Sequence, residues 1–261
     1  MLRWLRLFRA VNLPTVPGDV FVGAAVVLAS GGHPASSAVG LCWGARFLAP
    51  VWWAAAASVF IYMFGLVHND IVGAKTDKGR PIADGEISMD SAWAAAAACL
   101  AAAAFCAYFG GLFNGGFISH GSWPAQAMLL VAFVVIYNRT KQWWLMGACR
   151  GLNVLLGAAA VFSSKGSTCH FDIRLVSFAV IWWLYISLVT LYSKGEESDP
   201  EKKRRVGFLV GAIVYLQLAA LIVMKLAYPR VDGIRTLLIA GALSLVLLRA
   251  LTRFLPKVSA S

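Results

Sequence analysis

Charge is what this chain has least of. Asp, Glu, Lys and Arg make up 13% of its 261 residues, where a soluble domain carries roughly a quarter. Acids are the scarcer sign, twelve against twenty-three basic residues. The five cysteines, Cys42, Cys99, Cys106, Cys149 and Cys169, are odd in number, scattered and without a CxxC pair. That spacing excludes a disulfide framework and a structural zinc site. The four histidines, His33, His68, His120 and His170, share no ligand-like spacing and read as structural. No small-residue cleavage site follows the basic N-terminus, so MLRWLRLFRAVNLP does not read as a signal peptide. Its arginines recur every third residue with Trp4, Leu5, Leu7 and Phe8 between them, the pattern of a helix lying at a membrane interface.

What fills the chain instead is apolar. Hydrophobic residues make up 60%, and the mean hydropathy is +0.73. Crossing a bilayer takes about 20 mainly apolar residues, and eight such runs fall near 11–30, 47–68, 92–113, 124–138, 144–162, 174–192, 206–227 and 234–254. The expected fold is an all-α polytopic membrane bundle of about eight transmembrane helices, forming a single domain over residues 1–261. Alanine and glycine crowd the runs, above all SAWAAAAACLAAAAFCAYFGG at 91–111. Small residues let membrane helices approach closely, so the helices should pack rather than stand apart.

The net charge of +11 points to the membrane rather than to nucleic acid, because of where it lies. With the N-terminus in the cytoplasm, sixteen of the twenty-three basic residues fall on cytoplasmic segments. This positive-inside asymmetry places both termini, and the loops after the second, fourth and sixth spans, in the cytoplasm. An integral protein of a bacterial inner membrane is expected.

Nine of the twelve acids sit in two of those loops. Asp70, Asp77, Asp84, Glu86 and Asp90 follow the second span; Glu196, Glu197, Asp199 and Glu201 follow the sixth. Solubility does not demand this, since NGGFISHGSWP at 114–124 turns between spans without an acid. Asp70 comes at a helix C-terminus, where the dipole disfavours a carboxylate unless a cation is near. Carboxylates suit Mg2+, which takes one or two of them with water and the phosphate oxygens of a substrate. Lys75, Lys78, Arg80, Lys141 and the run KKRR at 202–205 are placed to contact phosphates. Arg150 and Asn153 lie inside an apolar span, where an ionisable group marks either a cavity or an internal pair. The bland alternatives are solvated loops and interface anchors, to which the ten tryptophans also belong.

At these residues the sequence resembles the UbiA superfamily of intramembrane prenyltransferases. The family's Asn-Asp-x-x-Asp-x-x-x-Asp motif falls on Asn69, Asp70, Gly73 and Asp77, followed by RPIADGEIS at 80–88. A Tyr-x-x-x-Lys element matches Tyr137 and Lys141, and FRAVNLPTVPGDVFVG at 8–23 is similar to the family's opening helix, with Arg9 and Asn12 at its polar positions. The second aspartate pair is replaced: LYSKGEESDPEKKRR carries Tyr192 and Glu196 where the aspartates would be, with Asp199 nearby. With CRGLNVLLG at 149–157 and TLYSKGE at 190–196 this resembles the EboC-like branch.

The resemblance implies a bundle, nine-spanned in most members, around a central cavity that lipid can reach. It implies Mg2+ as cofactor, with Asn69, Asp70, Asp77, Glu196 and Asp199 as ligands. A prenyl diphosphate would meet Arg9, Asn12, Lys75, Arg80, Tyr137, Lys141, Arg150, Asn153 and Tyr192, and its prenyl group would pass to a small acceptor, often aromatic. A reduced member would bind or carry a prenyl lipid without transfer. A transporter would need ionisable residues at mid-membrane depth, of which Pro14 and Pro17 with Asp19 give a slight sign. A CDP-alcohol phosphotransferase would need a DG..AR signature, which is absent.

Overall fold

The computed structural model describes residues 2–30, 42–112, 123–163, 173–195 and 199–254. Among them every regular element is helical: α1 Leu2–Leu7, a short 3-10 turn Ala10–Asn12, then α2 Thr15–Ala29, α3 Cys42–Val72, α4 Met89–Leu112, α5 Trp123–Thr140, α6 Trp143–Ser163, α7 Ile173–Ser193, α8 Pro200–Ala227 and α9 Asp232–Phe254. Each of the eight apolar runs is a helix. Among the described residues seven helical segments are long and apolar enough to cross a membrane, and the protein is an all-α integral membrane bundle. The exception is α5. Its 18 residues open on WPAQ and close on YNRT, so polar ends leave too little apolar length.

Two boundaries differ from expectation and matter for function. Helix α3 runs on to Val72, so Asn69 and Asp70 belong to its last turns. Helix α8 starts at Pro200, with Asp199 as its N-cap, so KKRR lies in its first turns rather than in a loop.

The centre of the bundle is α2 against α6. Of the most apolar window of each helix, 78% of the residues in α2 and 72% of those in α6 are buried, against 28% to 33% in α4, α7, α8 and α9. Glycine makes this contact possible. A Cβ on Gly23 would run into the Val154 carbonyl of α6, and one on Gly157 into the Val20 carbonyl of α2. Backbone therefore meets backbone at two levels, the close approach that small residues allow.

The outer helices show one buried stripe each. In α4 the buried residues include Ala92, Ala96, Cys99, Ala103 and Cys106, spaced three or four apart, which lines one face of a helix. The opposite faces carry Phe105, Leu188, Phe208 and Leu243, each more than half exposed. In water such faces would be an aggregation liability; in a bilayer they meet lipid. Helix α1 docks where the first acidic loop lies, with Leu7 in a cluster that includes Phe64, Val67, Ile82 and Ile87.

Candidate functional site

Asp70 is buried, and it has the positive neighbour that its place at the end of α3 requires. Arg80, ten residues on in the loop, donates through Nη1 to Asp70 Oδ1 at 2.8 Å. Its Nη2 lies 3.1 Å from Asp77 Oδ2. Two carboxylates of the first motif thus converge on one cation. The loop reaches this shape through Gly79 and Gly85, whose φ of +81° and +73° suits glycine. The Gly79 N–H donates to Asp84 Oδ1 at 3.0 Å, which gives Asp84 a structural task.

Helix α1 fastens the far end of the loop. Arg6 pairs with Glu86 at 2.9 Å, and Arg3 donates to the Glu86 carbonyl at 2.8 Å. The N-terminal arginines, expected at an interface, are used here to hold the acidic platform against the bundle.

Next to this platform is a cavity of about 90 Å³. Its walls come from α3 (Ser58, Ile61, Tyr62, Gly65, Leu66, Asn69), α5 (Leu130, Val134, Tyr137, Asn138) and α6 (Met146, Cys149, Arg150, Asn153), with Arg9 completing them. Lys141 Nζ donates to Asn69 Oδ1, which ties the end of α5 to the motif on α3. Arg9 (φ 41°) and Lys141 (φ 53°) are, among the described residues, the non-glycine positions with positive φ. Such backbone strain persists only where the surroundings impose it, and it gathers at functional sites. Partial burial, with the Arg80 guanidinium close by, pushes the Lys141 ammonium below the usual lysine range.

The remaining expected residues fall in other places. Asn153 accepts a hydrogen bond from Ser58 at 2.8 Å and lines the cavity. Arg150 also lines it, but its nitrogens turn to α2: Nη2 donates to the Thr15 carbonyl at 2.8 Å, and Nε lies 2.8 Å from Asp19 Oδ2 as an ion pair. Asn12 is half-buried; its carbonyl accepts from the Thr15 hydroxyl at 2.8 Å. Lys75 is exposed. Asp199 caps α8, accepting from the N–H groups of Glu201 at 2.9 Å and Lys202 at 3.1 Å. Tyr192 lies beneath Lys202, whose Nζ is 5.4 Å from the ring centre. Glu196 lies outside the described residues. Asp199 and Tyr192 are thus engaged in a cluster of their own between α7 and α8.

Asn138 and Gln217 escaped the sequence reading, and Asp19, His68 and Trp182 take partners that it did not assign them. Asn138 donates to the Gly65 carbonyl at 2.9 Å and lies 3.0 Å from His68 Nδ1, which seats His68 beneath the platform. Gln217 donates to Asp19 Oδ1 at 2.6 Å and to the Thr15 carbonyl at 2.8 Å, and Trp182 donates to the same Asp19 oxygen at 2.8 Å. The signal for Asp19 was available: one acid and one arginine in two different apolar spans favour pairing.

Among the described residues no group of three or more His, Cys, Asp and Glu is arranged to hold a metal ion. Two carboxylates already gathered round one cation nonetheless fit Mg2+, which fills its shell with water and substrate phosphate when the protein supplies one or two carboxylates. Asn69, next to Asp70 in the chain, would offer a third oxygen in exchange for its bond from Lys141.

No family model and no curated protein matches the chain. Solved structures do. A UbiA homolog from Archaeoglobus fulgidus bound to GPP and Mg2+ superposes with a TM-score of 0.47 at 16% identity, over 96% of this chain and 87% of that one. The same homolog in another structure gives 0.48 at 14%, over 99% and 90%. A structure of digeranylgeranylglyceryl phosphate synthase gives 0.47 at 17%, over 98% and 91%. Likenesses below a TM-score of 0.5 decide nothing about chemistry, which rests on the site itself.

Proposed function

We propose that this protein is a UbiA-like prenyltransferase of the EboC-like branch, acting over its whole length as one domain. It moves a prenyl group from an allylic diphosphate to a small acceptor, most suitably an aromatic ring. The observation that carries this reading is the convergence of Asp70 and Asp77 on a single cation at the mouth of an intramembrane cavity.

The chain's residues divide the work. Asp70 and Asp77, with Asn69 beside them, would hold Mg2+, which supplies positive charge to a departing diphosphate. Arg9 and Lys141 face the same place and would take phosphate oxygens. Arg80 would join them as its hold on the carboxylates passes to the metal, because its planar fork suits phosphate. Tyr137, one helical turn before Lys141, has its ring in the cavity wall. Ile61, Leu130, Val134 and Met146 give the prenyl chain an apolar lining and keep water from a carbocation. No nucleophilic side chain is required, since the task is to stabilise a leaving group.

At about 90 Å³ the cavity is smaller than the roughly 300–1,000 Å³ of common ligand sites. A prenyl tail therefore enters as the walls part. In this reading the platform lies at the cytoplasmic surface of a bacterial inner membrane, the side that the positive-inside pattern supports.

A second reading, binding of a prenyl lipid without transfer, is favoured by the α7–α8 turn, where Tyr192 and Asp199 are engaged elsewhere and add no carboxylate beside Asp70. One experiment separates the two. Purified protein is given an allylic diphosphate and Mg2+, and diphosphate release is followed with and without candidate acceptors. Release that Asp70→Asn abolishes is expected; tight binding with no release from any acceptor would replace transfer by carriage.

A further inference from the structure

The turn between α7 and α8 holds a groove of about 550 Å³ lined by Tyr192, Arg204, Arg205, Phe208 and Leu209. It belongs neither to the cavity nor to the acidic platform. We propose that this groove binds the headgroup of an anionic phospholipid.

The charged residues that line the groove are both basic, Arg204 and Arg205. Asp199 is spent on capping α8, and Glu201 pairs with Arg205 at 2.5 Å. Arg204 has no hydrogen-bond or ion-pair partner among the described residues. Lys202, which donates to the Lys194 carbonyl at 2.6 Å, holds a further positive charge over the Tyr192 ring. Guanidinium groups at the end of a groove suit a phosphate oxygen pair.

The other half of the groove says that the phosphate arrives on a lipid. Phe208 is 76% exposed and Leu209 lies beside it, one helical turn below the arginines. On the neighbouring face of α7, Leu184, Leu188 and Leu191 are exposed as well. The groove therefore runs from cations into the apolar surface that acyl chains must cover. Basic pockets between transmembrane helices on the cytoplasmic side bind such headgroups.

The test titrates full-length protein in neutral detergent with short-chain phosphatidylglycerol, phosphatidylcholine and inorganic phosphate. Retained lipid is read by native mass spectrometry, and folding by a melting curve. Phosphatidylglycerol should bind, and R204Q/R205Q should weaken it by a factor of roughly 10 to 30. Phosphatidylcholine and inorganic phosphate should bind poorly, and Arg230→Gln at the other end of α8 should change little. Arg204→Gln alone leaves the Arg205–Glu201 pair intact and is read if the double variant misfolds. Equal binding to the double variant, equal loss in Arg230→Gln, or full displacement by inorganic phosphate would each overturn the proposal. No prenyl diphosphate enters the test, so its outcome is separate from the proposed reaction.

Discussion

The carboxylate of Asp77 occupies the space that a side chain at Gly73 would need: a Cβ built on Gly73 would stand 2.7 Å from Asp77 Cγ. Where the motif that this stretch resembles has a second aspartate, this chain has a glycine, and Asp77 folds over it. The number of carboxylates falls by one, yet the position is not left empty. Gly73→Ala should therefore push Asp77 away from Arg80 and cost about 0.2–1 kcal/mol, the order of a partly exposed ion pair. A melting curve checks the stability, and weaker Mn2+ binding by electron paramagnetic resonance checks the displacement. A neutral substitution would mean that Asp77 is not held there.

Arg80 competes with a metal for the same two carboxylates. Removing an opposite charge at this distance matters by one to three pKa units for a carboxylate, so Arg80→Gln should bind Mn2+ roughly tenfold more tightly in the absence of diphosphate. The same variant should bind a prenyl diphosphate less tightly, since the guanidinium is then lost to phosphate. Titration with each ligand alone gives both numbers.

Lys141 supplies a pH signature. Its ammonium is pushed below the usual lysine range, so as pH rises the free protein loses this cation before an ordinary lysine would. Diphosphate affinity should fall with that loss. The unfolded chain then binds more protons than the folded one between the two values, so this group adds stability as pH rises through that window. Lys141→Arg should flatten the affinity profile, because arginine stays charged.

Asp19 and Arg150 form a buried ion pair joined by Gln217, Trp182 and Thr15. Breaking one partner of such a pair leaves a buried charge and costs about 3–5 kcal/mol. Asp19→Asn should lower thermal stability by that order, and Asp19→Asn with Arg150→Met should recover most of it. Non-additive melting temperatures in the four-protein cycle are the expected result.

The apolar runs located every helix from α2 to α9, because membrane spans are dictated by length and hydropathy that the chain carries locally. The polar boundaries were harder. Asn69 and Asp70 lie inside α3 because Arg80 neutralises Asp70 from another segment, and no local pattern reports that. KKRR is helical because Asp199 and Pro200 start α8 ahead of it, a signal that was present in the letters.

The sequence by itself determined that this is a helical membrane protein with motif residues gathered at helix ends, since apolar length and charge placement are properties of the letters. Only the tertiary structure decided how those residues are used. It set Asp70 and Asp77 on one guanidinium and turned Arg150 from the cavity towards Asp19. Each outcome depends on which opposite charge lies within about 3 Å, and the partner of Arg150 comes from a helix more than a hundred residues away in the chain.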